Sequence, residues 1–405
     1  MKNIYLDNNA TTKVAEEVIA EMLPYLTTYY GNPSSMHNFG GQLRYKVDRA
    51  REQIAALLGC EPEEIIFTSG GTESDNTAIN GILALNRTKR HIITARTEHP
   101  AVRTTCRRLQ KQGYRLTELA VDSKGRIDLQ ELQAAISDDT ALVTVMYANN
   151  ETGVIFPIEE IAEITRSRGV ILHTDAVQAV GKVRIDLSQT PIDLLSASGH
   201  KLHGPKGVGF LYVRRGTPLA PFMVGGHQEF NLRAGTENVA GIVGLGKACE
   251  LAGLHRSAEN VQVRQLRDRL ERGLQEQCPQ TRVNGDQKNR LPNTTNISFE
   301  YIEGEAILLM LDRLGIAASS GSACTSGSLE PSHVLRAMGV PFTSVHGSIR
   351  FSLSRYTSSQ EIDYVLSAVP GVIKRLREIS MFSSRIGVPS GAPQERKPQL
   401  HAIKH

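Results

Sequence analysis

The sequence predicts an α/β protein with a large domain built on a mainly parallel sheet and a smaller α+β domain. Short, wholly apolar strands alternate with helical stretches over the first part of the chain, the rhythm of βαβ units. Strands without a polar face are typical of a sheet covered by helices on both sides. After about residue 260 this alternation stops. Because 405 residues exceed the size of one hydrophobic core, two domains are expected.

Within the large domain, a helix is predicted first and is followed by alternating strands and helices. Apolar residues recur on one helical face over 40–59, and Gly59 ends that helix. A short apolar strand at 64–68 precedes the Ser-Gly-Gly-Thr turn (69–72), after which a helical pattern continues to Leu85. Further strands are predicted at 91–95, 141–147, 170–174, 193–197 and 208–213.

The smaller domain follows a different pattern. Its predicted elements are a charged helix at 261–277, a strand at 295–300, a helix at 304–314, a short helix at 332–338, a strand at 348–353 and a closing helix at 358–378. The tail, residues 379–405, contains three prolines and several glycine and polar residues from about residue 383 onward. Such a composition predicts disorder.

The overall composition excludes several classes of protein. With 40% hydrophobic and 22% charged residues, the chain has the composition of an ordinary globular protein. It has no run of about 18 apolar residues and no apolar secretory signal, so we expect no membrane span and a cytoplasmic location. The net charge of +4 is concentrated in the tail, which argues against a nucleic-acid partner.

The cysteines do not form a recognisable framework. There are five, at irregular spacing and without a Cys-x-x-Cys pair. An odd number at such spacing is not typical of a disulfide scaffold or a structural zinc site. We therefore expect reduced thiols in a reducing compartment.

Two residues at the ends of predicted strands indicate the chemistry. Lys201 ends the run Ser-Ala-Ser-Gly-His-Lys (196–201), 26 residues after Asp175. A buried lysine can lose its proton and form an imine with an aldehyde cofactor. A carboxylate at the far end of a pyridine ring keeps the ring nitrogen protonated, so the ring withdraws electrons. The pair predicts pyridoxal 5′-phosphate, although each residue alone also fits a surface lysine or a helix N-cap.

Polar residues near these strand ends would complete a cofactor site. Gly71 and Thr72 stand between a strand and a helix, where backbone N–H groups and the helix dipole bind phosphate. Such a turn is also common without a ligand. Gln178 follows the aspartate by three residues and could donate to a cofactor oxygen. Ser198 and His200 precede the lysine and offer further donors.

Three more residues have both a functional and a structural interpretation. His99 could stack on an aromatic cofactor and move protons, or be a satisfied polar residue at a strand end. Asn150, in Asn-Asn-Glu-Thr-Gly (149–153), belongs to a turn or supplies an amide to the cofactor or the substrate carboxylate. Arg350, flanked by apolar residues, fits bidentate capture of a carboxylate or a structural salt bridge.

Cys324 lies in a segment of small and polar residues, Ser-Ser-Gly-Ser-Ala-Cys-Thr-Ser-Gly-Ser (319–328). Structural cysteines usually lie among apolar residues instead. An accessible thiol on a flexible segment can act as a nucleophile or a carrier. The alternative is an incidental surface thiol.

Taken together, these segments resemble the cysteine desulfurases, pyridoxal-phosphate enzymes of the class-V aminotransferase family with the aspartate-aminotransferase fold (fold type I). The resemblance extends from residue 4 to about residue 378. The matching segments are 5–12, 31–35, 71–75, 98–102, 149–153, 173–178, 199–207, 233–238, 322–334 and 349–355. The residues around Cys324 and over 300–309 are most similar to the nitrogen-fixation (NifS-like) branch.

The resemblance implies a division into domains and a role for each candidate residue. It implies a large cofactor-binding domain over 15–260 and a small domain of 1–14 and 261–378, which carries the cysteine segment (about 319–331). Lys201 would form the covalent bond to the cofactor, Asp175 would pair with the ring nitrogen, and Gln178 would contact the phenolic oxygen. His99 would stack on the ring and take part in catalysis, and the phosphate would be bound by Gly71, Thr72, Ser198 and His200. Asn150 would bind cofactor and substrate, and Arg350 would bind substrate. Thr236 would reach the cofactor from the second subunit, which implies a homodimer.

The implied reaction converts L-cysteine to L-alanine. Lys201 would remove the α-proton, and the Cys324 thiolate would take the substrate's sulfur as a persulfide for an iron–sulfur scaffold protein. Service in nitrogen fixation is expected, with a housekeeping desulfurase or a selenocysteine lyase as alternatives. An aminotransferase would not need Cys324, and a non-catalytic sulfur-relay protein would need neither Lys201 nor Asp175. No metal site is assigned, although the same resemblance makes Cys324 a candidate cluster ligand.

Overall fold

A mixed sheet lies at the centre of the molecule. The structure, a computed structural model, describes residues 3–86, 88–320 and 331–380. Its strands are β1 (Ile4–Tyr5), β2 (Ile65–Thr68), β3 (His91–Ala95), β4 (Arg115–Leu119), β5 (Thr140–Thr144), β6 (Ile171–Asp175), β7 (Leu194–Ser198), β8 (Gly209–Val213), β9 (Thr281–Val283), β10 (Thr294–Phe299), β11 (Ile316–Ala317) and β12 (Ser348–Ser352). Seven of these strands form the central sheet in the order β2-β8-β7-β6-β5-β3-β4.

The strands of the central sheet are mostly parallel. Neighbours from β4 to β7 pair in parallel, and β8 pairs antiparallel with both β7 and β2. The strands β2, β3, β5, β7 and β8 are buried along their whole length. The predicted α/β class with a mainly parallel sheet is thus confirmed. Parallel strands bring their carboxyl ends to one edge of a sheet, which is where such folds bind ligands.

Helices cover the sheet and extend beyond it. They are α1 (Glu16–Thr27), α2 (Asn38–Gly41), α3 (Arg44–Leu58), α4 (Gly71–Leu85), α5 (Pro100–Lys111), α6 (Leu129–Ala135), α7 (Ile158–Ser167), α8 (Val239–Gln277), α9 (Gly304–Arg313), α10 (His333–Ala337), α11 (Phe342–Val345) and α12 (Ser359–Ile379). As predicted, Gly59 ends α3, in a left-handed conformation (φ 68°) that favours glycine. Within the described residues, no helix has the length and apolar character required to cross a membrane.

A second hydrophobic core lies outside the central sheet. It combines Ile4 and Leu6 with side chains of α8, α9 and α12 and of the antiparallel sheet β12-β10-β9. β1 pairs in parallel with β11, so the N-terminus of the chain joins residues that are about three hundred positions away in sequence. The next residues, from Asp7 onward, lead from this core to the edge of the central sheet, since Asp7 bridges Ser352 and Thr12 bonds His200.

Among the elements that differ from the prediction, α8 and β4 each have a physical reason. The helix predicted over 261–277 is the second half of α8, which begins at Val239. Its first half contains several glycines, which disfavour a helix, but a Cβ at Gly246 would lie 2.6 Å from the Ala50 backbone of α3. Packing against α3 therefore requires the glycine. β4 was not predicted because it is a half-exposed edge strand without a continuous apolar run.

The limits of the two predicted domains stay a prediction. The proposed boundary between residues 260 and 261 falls inside α8, which is continuous there. Most of the tail predicted to be disordered, and the central part of the cysteine segment with Cys324, lie outside the described residues.

Candidate active site

The carboxyl ends of the parallel strands open on one cavity of about 290 Å³. Residues from the turns after β2, β3, β5, β6 and β7 line it, together with the N-terminal segment and β12. The predicted site residues that line it are Gly71, Thr72, His99, Asn150, Asp175, Gln178, Ser198, His200, Lys201 and Arg350. Residues predicted separately from strand ends and late segments are thus brought together at one place.

Lys201 is held by main-chain oxygens. Its Nζ donates to the carbonyls of Asn9 at 2.6 Å and Ala10 at 2.7 Å. Both carbonyls belong to the N-terminal segment that crosses from the second core. The ammonium is therefore oriented by neutral groups, and Lys201 is not the solvated surface lysine of the alternative interpretation.

A second lysine lies next to the first. Lys182 donates from Nζ to the carbonyls of Gln178 at 3.1 Å and Lys201 at 3.2 Å. Burial, and then the charge of Lys201, lower the pKa of Lys182 to about 7. Burial and the same lysines lower the pKa of His200 to about 4, so its ring is neutral at pH 7. We call Lys201 and Arg350, which line the cavity, together with Lys182 next to Lys201, the cationic side of the site.

Arg350 combines both of its interpretations. Its Nη2 forms an ion pair with Asp7 Oδ1 at 2.7 Å, and its Nη1 donates to the Asn150 carbonyl at 2.9 Å. The structural salt bridge is therefore present, yet the side chain also lines the cavity. Its Nε has no hydrogen-bond partner among the described residues. The guanidinium thus remains able to donate to a bound carboxylate.

Three buried carboxyl groups form what we call the acidic side: Asp75 and Asp175, which line the cavity, and Glu98, which is the residue before His99. Asp175 ends β6, and its Oδ1 accepts from the Val177 N–H at 2.9 Å. Burial raises the pKa of all three carboxyls. For Asp175 the nearby His99 and Lys201 oppose that rise. Asp175 therefore caps a local turn, as the structural interpretation has it, and also faces the cavity.

The turns around these residues fix His99 and Asn150. His99 caps α5, because its Nδ1 accepts from the Ala101 N–H at 3.2 Å. A neutral His99 with this bond carries its proton on Nε2. The Asn149 side chain accepts from the Glu151 and Thr152 N–H groups, which makes 149–153 the predicted turn and leaves Asn150 on the cavity wall.

The loop before α4 requires glycine for close packing. A Cβ at Gly71 would lie 2.5 Å from Val177 Cγ2, so only glycine lets the helix start approach the turn after Asp175. Gly70 has φ 149°, within the range that favours glycine. The N-terminus of α4, a helix of 15 residues, therefore points its positive dipole end at the cavity wall.

Two predicted residues, Thr236 and Cys324, are not among the described residues that line the cavity. Thr236 is exposed and does not line the cavity of its own chain. Cys324 lies outside the described residues, but both flanks of its segment are attached near the cavity. Ser319 forms two backbone hydrogen bonds with Arg350, and the Ser332 hydroxyl donates to Glu151.

Residues 4–365 match the family described as aminotransferase class-V. The chain belongs to this family. Two relatives of the chain are cysteine desulfurase 2 of Trichormus variabilis, 62% identical over 384 residues (95% of this chain, 96% of that protein), and cysteine desulfurase NifS of Azotobacter vinelandii, 55% identical over 388 residues (96% of each). A solved structure described as a NifS-like protein superimposes with a TM-score of 0.87 at 38% identity, covering 92% of this chain and 100% of that one.

The site also contains groups that the sequence did not reveal. Asn9 and Ala10 act through carbonyl oxygens, which have no signature in a sequence. Asp75 and Lys182 are charged residues in helical or turn segments, and only the fold shows that Asp75 is buried at the cavity and that Lys182 lies half-buried next to Lys201. The one available signal was the position of Asp75 among the buried positions of the helical pattern after residue 71.

Proposed function

We propose that this chain is a cysteine desulfurase, which removes the sulfur of L-cysteine to a protein thiol and releases L-alanine. The observation that carries the proposal is the cavity that places Lys201 and Asp175 together, in a chain 55–62% identical to proteins named cysteine desulfurases. A bound group there would meet a cationic side and an acidic side at once. A free amino acid and an aldehyde cofactor with a phosphate and a basic ring nitrogen match that division of charge.

Pyridoxal 5′-phosphate fits the groups present in the cavity. The Oε1 of Gln178 and the Oδ1 of Asp75 are buried without a hydrogen-bond partner among the described residues, so the site has polar capacity to spare. The N-terminus of α4 with Thr72 suits a phosphate, because a helix start offers N–H groups and positive potential. Lys201 and Asp175 would hold the aldehyde end and the ring nitrogen, and His99 the ring face.

When bound, this cofactor withdraws electrons from the α-carbon of an attached amino acid. The protein's own groups do the rest. Lys201, once it leaves the carbonyls of Asn9 and Ala10, is the base that would move the α-proton. Arg350 and the Asn150 amide would hold the substrate carboxylate, since a guanidinium binds a carboxylate through two parallel hydrogen bonds. His99 can carry a proton on Nε2 at the cavity wall.

Cys324 is the proposed sulfur acceptor. In the transfer its thiolate forms an S–S bond with the substrate sulfur as the C–S bond breaks, and the carbon keeps the electron pair and is later protonated. Burial raises the pKa of the thiols in the described part of the chain, to about 12 for Cys60 and about 11 for Cys278, and also for Cys106 and Cys249. Such thiols are poor nucleophiles. Ser319 and Ser332, which flank the segment of Cys324 in the sequence, are attached near the cavity by hydrogen bonds to Arg350 and Glu151.

We also propose that the enzyme is a cytoplasmic homodimer that delivers sulfur to an iron–sulfur scaffold protein, in service of nitrogen fixation. The likeness to NifS of Azotobacter vinelandii supports the nitrogen-fixation role. Exposed apolar side chains, which mark protein interfaces, support the dimer; they include Tyr30 (74% exposed), Val224 and Phe230. A hydrogen bond from Ser34 to Glu237 places the segment of Tyr30 beside Thr236.

The dimer is tested by sedimentation of the Tyr30→Glu variant. A charge at a buried interface should shift the protein from dimer to monomer. Phe342→Glu is the matched control, because Phe342 is equally exposed on a different part of the chain and should leave the dimer intact. A wild-type protein that sediments as a monomer would contradict the proposal.

The activity is tested by incubating the purified protein with pyridoxal 5′-phosphate, L-cysteine and a thiol reductant. Sulfide and L-alanine should form in equal amounts. Alanine-dependent transamination without sulfide would instead indicate an aminotransferase. Release of selenium from L-selenocysteine by a protein that leaves L-cysteine unchanged would indicate a selenocysteine lyase.

A further inference from the structure

Asp75 has no role in the reaction as proposed, yet it lines the cavity in the second turn of α4 with only 1% of its surface exposed. One carboxylate oxygen of Asp75, one of Asp175 and a ring nitrogen of His99 all lie within 4.8 Å of one another. The Oδ1 of Asp75 has no hydrogen-bond partner within the described part of the chain. A buried carboxyl group with a spare oxygen therefore stands directly beside the residue assigned to the cofactor ring.

The surroundings of Asp75 supply little positive charge. The titratable groups that face it from the neighbouring elements are Asp175 and His173 of β6, Glu98 and His99 between β3 and α5, and the thiol of Cys106 in α5. His173 bonds Thr144 and Ser196 through its two ring nitrogens, and burial lowers its pKa to about 3. The imidazole 3.6 Å from Asp75 Oδ1 is thus neutral and cannot balance a carboxylate.

Two carboxylates this close in a buried site cannot both ionise without a large repulsion. We infer that Asp75 is a positioning residue that keeps its proton and donates it to Asp175, so that Asp175 remains the anion that faces the cofactor ring. The inference rests on the proposed function for the role of Asp175. It assigns the single shared proton of the pair to one member.

The surroundings of the two carboxyls support that assignment. After burial, the charges of Asp175 and Glu98 raise the pKa of Asp75 further, against a hydrogen bond from Ser196. His99, the Val177 N–H and Lys201 instead favour the charged form of Asp175. Asp175 therefore ionises first, and Asp75 holds the proton. The arrangement resembles other buried carboxyl pairs in which environment separates an acid from an anion.

The first test uses the protein without cofactor, so it does not depend on the proposed function. A carboxyl group whose pKa is raised in the folded state loses its stabilising contribution as the pH rises from its unfolded pKa through its folded pKa. Asp75→Asn, which keeps a donor but has no proton to lose, should therefore gain thermal midpoint over wild type as the pH rises above the ordinary pKa of an aspartate. Asp138→Asn, at an exposed carboxyl, should track wild type at every pH.

The second test uses the reconstituted protein and the pH dependence of its visible absorption. Asp75→Asn should titrate within about half a pH unit of wild type, whereas Asp75→Ala, which removes the donor, should shift by about one pH unit or more. Should the alanine variant fail to fold, the asparagine variant still decides. An asparagine variant less stable than wild type at all pH values, or shifted as far as the alanine variant, means that Asp75 acts as an anion and overturns the inference. If the reconstituted wild-type protein shows no visible absorption band from bound cofactor, that result counts against the proposed function instead.

Discussion

Burial shifts the pKa values of the acidic side and of Lys182 on the cationic side in opposite directions. On the acidic side, burial raises the pKa of Asp75, Glu98 and Asp175, so the carboxyl groups are pushed toward their neutral forms. On the cationic side, burial and mutual repulsion push Lys182 toward its neutral amine. Lys201 and Lys182 bond carbonyl oxygens, and Glu98 bonds the Met146 N–H. The charged groups are thus held by neutral backbone groups.

This difference shows what the cavity is prepared to bind. Buried charges normally pair with each other, because an unpaired buried charge is costly. Here Asp75 and Asp175 line the same cavity as Lys201 and Arg350, so a ligand with a cationic end and an anionic end would have a partner for each end. Arg350 is the exception, since it already pairs with Asp7. It therefore suits a substrate that arrives and leaves rather than a resident group.

The largest effect is expected from Cys324, the proposed sulfur acceptor. Cys324→Ala should abolish sulfide release from L-cysteine, because the described thiols are held protonated by burial. It should keep the visible spectrum of the cofactor and its change on adding substrate, since both walls remain. Cys60→Ala is the matched control and should stay active. A Cys324→Ala variant with most of its activity would contradict a persulfide on Cys324.

Removing the anion of the acidic side should have the next largest effect. Asp175→Ala leaves the ring nitrogen without its partner, so turnover should fall on the order of 100-fold, the usual cost of a lost electrostatic contact to a reacting group. Single-turnover absorption measurements would locate the loss in α-proton removal. Asp193→Ala, a half-buried carboxyl away from the cavity, serves as the control. Unchanged turnover in Asp175→Ala would contradict the role of Asp175 as the anion that pairs with the ring nitrogen.

A smaller, pH-dependent effect is expected on the cationic side. A lysine whose pKa is lowered to about 7 in the folded protein binds fewer protons than the unfolded chain between that pH and its ordinary pKa. Stability from this group therefore increases as the pH rises above about 7 and is lost below it. Lys182→Met should abolish that dependence in a series of thermal midpoints. A wild-type slope that persists in the variant means that Lys182 is solvated.

The sequence was most informative where local chemistry follows an apolar strand. Asp175 and Lys201 could be selected because each ends a short apolar run, and such strands bring their carboxyl ends together. The glycines in the first half of α8 gave the opposite result. They disfavour a helix by local propensity, and only the contact of Gly246 with α3 explains them. The edge strand β4 lacked a signal because half of it faces solvent.

For the site, too, the sequence could not show contacts that depend on tertiary packing. A sequence shows that Asp75 and Lys182 are charged, but not that one lies beside Asp175 and the other bonds the Lys201 carbonyl. These contacts depend on how α4 and the turn after β6 pack together. The close approach of Gly71 to Val177 fixes that packing.

Two lysines next to one cavity make the most direct test possible. The protein is reconstituted with pyridoxal 5′-phosphate, reduced with borohydride, digested and mapped by mass spectrometry. The cofactor should be found on Lys201 alone, with Lys201→Arg as the unlabelled control, because Lys201 lines the cavity and faces Asp175. Labelling of Lys182, whose pKa of about 7 also makes it reactive, would contradict the assignment of Lys201 as the cofactor lysine.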